Sequence, residues 1–73
     1  MEYRDRLKSL RIDNDLDQAD VAVICGVSNK TVSHWETHRR EIPVDIIIKL
    51  CKHYKVSANY VLGLPEYARP KNR

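Results

Sequence analysis

A single glycine between two short helical stretches is the feature that most restricts how this chain can fold. Asp17 opens the first stretch, because an aspartate carboxylate accepts from the free N–H groups of a first helical turn. Asp20 stands where the second half of a capping box belongs, although Glu or Gln is usual there. Val21, Ile24 and Cys25 supply a buried face, with Ala22 beside it. Gly26 then ends the helix, since a left-handed residue is least costly without a Cβ. Val27 follows as an apolar plug, and Ser28 caps a second stretch from Asn29 to about Thr37. Its inward face is thin, only Val32 and Trp35. Asn29, Lys30, Ser33 and His34 face outward, with Thr31 and Thr37 at the margins. All six can hydrogen-bond and none is a large apolar residue.

Helix, short glycine-containing turn, helix is the arrangement that presents one helix to the major groove of DNA. That groove is ~12 Å wide and admits one α-helix, so the second helix must stand proud of the body with polar groups near its N-terminal end. The first helix braces it, and its own N-terminus can point at a phosphate. Small residues at Ala22 and Gly26 are expected to let the two helices cross closely.

The flanking sequence builds a body for this unit. Tyr3, Leu7 and Leu10 give a first helix from about Glu2 to Asp13 one apolar stripe. Arg4, Arg6, Lys8 and Arg11 are read as its opposite, charged face, and Asn14-Asp15 as the turn that ends it. Arg39, Arg40 and Glu41 form a charged loop closing at Pro43, which sits near the first position of a fourth helix. Ile47, Leu50, Cys51 and Tyr54 follow the helical period there. Ser57 caps a short fifth helix, Ala58 to Leu62, stopped by Gly63. The expectation is an all-α, compact five-helix domain over 1–64 and a polar, basic tail over 65–73. With 2 Gly and 3 Pro in 73 residues, the long unbroken stretches favour helices over a β-rich or disordered chain.

Charge and cysteine content narrow the function classes. A formal charge of +3 permits nucleic acid without requiring it. Asp13, Asp15, Asp17 and Asp20 make one acidic stretch, so the basic surface is not uniform. Cys25 and Cys51 lie inside apolar patterns and read as buried, reduced thiols of a cytoplasmic protein. The N-terminus carries charges where a secretion signal needs an apolar run, and Ile46-Ile47-Ile48 is far short of a membrane span. No zinc-ligand spacing, phosphate-cradling glycine loop or nucleophile–base set is present, so no metal, no cofactor and no catalysis is expected.

The segment Asp17-Gln18-x-x-Val21-Ala22-x-x-x-Gly26-Val27-Ser28-x-x-Thr31-Val32-Ser33-x-Trp35-Glu36 resembles the phage repressor/Cro helix-turn-helix family, the lambda-repressor-like DNA-binding domains. Arg6-Leu7-Lys8-x-Leu10-Arg11 resembles the family's first helix, and Ile47 to Gly63 its fourth and fifth. The resemblance covers about Tyr3 to Leu64 and implies a DNA-binding domain that acts on pseudo-palindromic operators as a homodimer. It implies that Gln18 holds a backbone phosphate. It places Ser28, Asn29, Lys30, Ser33 and His34 toward the groove, Thr31 and Thr37 nearer the backbone, and Arg39 and Arg40 in a phosphate-approaching loop. Three positions depart from the pattern: Thr37-His38 follows Glu36 where Asn-Gly is usual, Asp17 replaces Ser or Thr, and Val21 replaces Leu. Asp17 and Asp20 are expected near the DNA backbone, where they weaken non-specific affinity.

The residue chemistry leaves alternatives at each position. Lys30 suits the O6 and N7 acceptors of guanine, a phosphate, or plain solvation. Asn29 either pairs with adenine or completes the first turn, and His34 either meets DNA or stands exposed. Trp35 reads as core and Glu36 as a carboxylate paired within the domain. The expected function is a small transcriptional regulator, a repressor, on double-stranded DNA. An antitoxin-like protein that also holds a protein partner through Pro65–Arg73 is the second reading, and an interaction module without DNA binding the third. Ile46, Ile48, Tyr60, Leu64 and Tyr67 are the candidates for a two-fold interface.

Overall fold

The computed structural model describes residues 2–64. Five helices follow in chain order: α1 (Tyr3–Asp13), α2 (Gln18–Cys25), α3 (Asn29–Glu36), α4 (Val44–Tyr54) and α5 (Ala58–Leu62). No strand occurs among the described residues. The tail at 65–73, with Tyr67, lies outside them.

Local signals account for the boundaries. Glu2 caps α1, its carboxylate accepting from the Arg4 N–H. Asp17 and Asp20 close a reciprocal capping box at 2.9 Å in each direction, so Asp at the third position does the work expected of Glu. Ser28 and Ser57 cap α3 and α5 in the same one-sided way. Pro43 is the residue before α4 rather than its first, with an extended ψ of 147°.

The helix ends share one geometry. Asp15, Gly26, His38, Lys55 and Gly63 all have positive φ, between 57° and 77°. In each case the next residue's N–H donates back to a carbonyl five positions earlier: Leu16 to Arg11, Val27 to Ala22, Arg39 to His34, Val56 to Cys51 and Leu64 to Asn59. Gly26 takes this backbone state without the strain that a Cβ brings at Asp15, His38 and Lys55. A Cβ built there meets nothing within 4 Å, so the expected close helix crossing is not its reason. Ala22, 4% exposed, is the residue that fits between helices.

The core draws on every element: Leu7, Val21, Ala22, Cys25, Val32, Trp35, Ile42, Ile47, Leu50, Cys51 and Val61. α3 lies on α2 and α1, α4 on α2, and α5 on α1 and α4. Ile42, in the loop before α4, is 6% exposed, a core position that no helical period marks. Of the four basic residues on the expected outer face of α1, Lys8 is exposed as expected, and the three arginines are not. Arg4, Arg6 and Arg11 are half-buried, and Arg6 lies 5.4 Å from the Tyr60 ring centre. The apolar pocket between α1, α2 and α3, lined by Leu7, Val21, Val32 and Trp35 among others, amounts to about 20 Å³, room for one water.

Burial pushes the thiols of Cys25 and Cys51 and the phenols of Tyr3 and Tyr54 above their ordinary values. Groups held neutral in the fold contribute stability that is complete below their unfolded values and is lost as pH rises. The melting temperature is therefore expected to be level from neutrality to about pH 8 and to fall from about pH 8.5 through 10, where unfolded thiols and then phenols ionise. A level melting temperature across that window contradicts it.

Candidate nucleic-acid interface

Two buried side chains fix how α3 sits. Val32 is 1% exposed and Trp35 4%. At about 100° per residue, Lys30 then lies opposite these anchors, with Ser33 and His34 on either side of it. Asn29 and Lys30 are exposed, whereas Ser33 and His34 are half-buried. No hydrogen bond or ion pair joins the side chains of Asn29, Lys30, Ser33, His34, Arg39 or Arg40 to other described residues. The outer face of α3 and the loop after it thus carry donors that the domain itself does not use.

Three other expected site residues are committed locally. The Ser28 hydroxyl accepts from the Thr31 N–H at 3.1 Å and lies 3.0 Å from the Thr31 hydroxyl. Thr37 donates its hydroxyl to the Ser33 carbonyl at 2.8 Å. That hydroxyl has one proton, so in this arrangement it has no donor left for a phosphate.

Gln18 opens the bracing helix and binds across the motif. Its Nε2 donates to Glu36 Oε1 at 3.0 Å. The same carboxylate receives Arg11 through Nε at 2.7 Å and Nη2 at 3.0 Å, a two-pronged charge-assisted pair. Arg11 also donates to the Leu16 carbonyl at 2.9 Å. Glu36 therefore pairs within the domain, as its position in the sequence implied. The hydrogen bond to Glu36 raises the Arg11 pKa further above its ordinary value. This network ties α1, the start of α2 and the end of α3 together. The other Nε2 proton of Gln18 is left for an acceptor outside the domain. Charge alone assigns Arg11 outward, yet it follows Leu7 by one helical repeat and so borders the apolar stripe.

The loop after α3 is held by the first turn of α1. His38 Nε2 donates to Asp5 Oδ1 at 2.9 Å and lies 3.8 Å from Glu2 Oε1. Arg4 pairs with Glu2 and donates through Nη1 to the Arg40 carbonyl at 2.9 Å. The Arg4 guanidinium holds the Glu2 carboxyl below its usual range. The Tyr3 hydroxyl donates to Glu41 Oε1 at 2.7 Å and accepts from the Ile42 N–H at 3.0 Å. His38 occupies the left-handed position with φ 65°, which explains how Thr37-His38 closes the helix where the resembling family carries Asn-Gly.

Among the described residues no cluster of histidine, cysteine or carboxylate side chains could hold a metal, and no helix is long and apolar enough to cross a membrane.

Comparison with known proteins agrees with this geometry. The helix-turn-helix family profile matches residues 7–61. An uncharacterized HTH-type transcriptional regulator of Bacillus subtilis, YobD, is 30% identical over 69 residues, covering 94% of this chain and 62% of the relative. The antitoxin PezA of Streptococcus pneumoniae is 30% identical over 64 residues, covering 88% of this chain and 40% of the relative. The chain thus spans less than two thirds of the length of these relatives. The P22 c2 repressor, solved in complex with a synthetic operator, superposes with a TM-score of 0.75 at 27% identity, covering 85% of this chain and 94% of that one. Capped α2, the Gly26 turn and an outward-facing α3 are placed as in a lambda-repressor-like fold, and the chain belongs to the helix-turn-helix family.

Proposed function

We propose that this chain binds double-stranded DNA in a sequence-specific way and acts as a transcriptional regulator, a repressor. The supporting observation is the outer face of α3. Val32 and Trp35 hold the helix, while Asn29, Lys30, Ser33 and His34 lack side-chain partners among the described residues. The likeness to a repressor solved on its operator supports the same reading. In it, Lys30 and Asn29 meet base edges, Ser33 permits close approach, and His34 contacts the groove wall. Gln18, Arg39 and Arg40 meet phosphates. Ser28, Thr31 and Thr37 shape the helix ends beside the backbone. The activity is binding rather than catalysis, and its setting is a reducing cytoplasm. Residues 1–64 form the DNA-binding unit, with 65–73 as an extension.

A homodimer on a pseudo-palindromic operator belongs to this proposal. Ile48, Tyr60 and Leu64 are 46%, 50% and 55% exposed and offer an apolar contact, whereas Ile46 packs against the core and is not free. A two-fold pairing through them spaces the recognition helices by ~34 Å, one DNA turn. The similarity to PezA favours a second reading, in which the chain also holds a protein partner.

Two substitutions separate base reading from backbone holding. Lys30→Ala is expected to weaken binding to the preferred duplex by ~1–3 kcal/mol and to relax one base position. Gln18→Ala is expected to weaken all duplexes about equally. Normal binding and selectivity in both folded variants contradicts the assignment.

A further inference from the structure

We infer that His38 is a positioning residue: it clamps the Arg39–Arg40 loop to the first turn of α1 and so sets the phosphate grip beside the recognition helix. This rests on the DNA-binding reading above.

The helix ends carry the argument. All five close through a left-handed residue followed by a back-donating N–H. Such an end is usually seated by an apolar side chain on the back-donating residue. Leu16, Val27, Val56 and Leu64 fill that place in the other helices, the first three of them half-buried. In α3 the place is taken by Arg39, which is exposed. The end that carries the candidate phosphate contacts is thus the one without an apolar seat.

Polar contacts from α1 replace it. His38 reaches Asp5 at 2.9 Å, Arg4 holds the Arg40 carbonyl at 2.9 Å, and Tyr3 holds the Ile42 N–H at 3.0 Å. His38 makes its contact from a backbone state that disfavours any side chain with a Cβ. Glycine would suit the backbone better, so the imidazole contact is the property that histidine adds. The Arg39 and Arg40 amides are held on the His34 carbonyl at 2.8 and 3.3 Å while their side chains stay exposed. A loop ordered before binding loses less entropy when its arginines meet phosphates.

The test uses the full chain with His38→Gly, His38→Gln and Lys55→Gly. Glycine accepts the left-handed backbone at either site, so both glycine variants should melt at or above the wild-type temperature. His38→Gly should bind every duplex roughly fivefold to thirtyfold more weakly, as expected for one or two disturbed charge-assisted contacts. Lys55→Gly, which makes the same backbone change at the end of α4, should bind like wild type. His38→Gln carries an amide donor at similar reach and should recover most of the lost affinity. Amide hydrogen exchange at Arg39 and Arg40 should quicken in His38→Gly alone. Wild-type affinity in a folded His38→Gly variant overturns the inference, as does an affinity loss matched by an equal loss of stability. Unchanged exchange at those amides overturns the clamp with or without DNA. A wild-type chain that binds no duplex overturns the DNA-binding reading instead.

Discussion

Trp35→Ala is expected to leave the chain largely unfolded at room temperature by circular dichroism. Trp35 is 4% exposed and stands where α3 meets the core. Truncating a buried tryptophan costs about 3–5 kcal/mol in lost burial and residual cavity. A domain of this size rarely holds more than about 3–5 kcal/mol in its core, so the whole margin is at stake. The chain cannot recover by collapse, because Val32 alone then anchors the inward face of α3. Trp35→Phe keeps most of the apolar area and is expected to cost no more than about 1–2 kcal/mol while leaving DNA binding intact. A cooperative melt of Trp35→Ala near the wild-type temperature would show that α3 is held by something other than this contact.

The second large effect concerns the pair that joins the two ends of the motif. Glu36→Ala removes the partner of a guanidinium whose side chain is only 13% exposed. Stranding one member of a mostly buried ion pair costs about 3–5 kcal/mol, because the remaining charge stays desolvated. Arg11 keeps its bond to the Leu16 carbonyl, so the expected loss lies at the lower end, about 3 kcal/mol. Gln18 also loses its acceptor, and the start of α2 is freed from the end of α3. Replacing both charges, as in Arg11→Met with Glu36→Leu, is expected to cost much less, since no unpaired charge remains. Urea titration of the three variants reads the comparison directly. A single variant no worse than the double one contradicts the stranded-charge explanation.

Much of this architecture is legible in the sequence because its signals are local. Asp17 with Asp20, Ser28, Ser57, Gly26 and Gly63 mark helix ends through bonds that span only a few residues. Val32 and Trp35 mark the inward face of α3 by period alone. The features that escaped depend on distant neighbours. Ile42 is core only because the loop folds over α1, where its N–H meets Tyr3. Arg4 and Arg11 turn inward only because the Arg40 carbonyl and Glu36 wait for them. His38 and Lys55 take left-handed positions that their side chains do not advertise. At the interface, exposure and residue type fix which donors are available, whereas the base each one meets depends on a duplex that the chain alone does not contain.

The most direct measurement is fluorescence anisotropy of the full chain with a duplex from upstream of its own gene and a scrambled control, over a series of salt concentrations. Sequence-specific binding predicts a preference for the natural duplex of about a thousandfold or more, with affinity falling steeply as salt rises. Equal affinity for both duplexes, or binding indifferent to salt, would contradict a recognition helix that reads bases and a loop that holds phosphates.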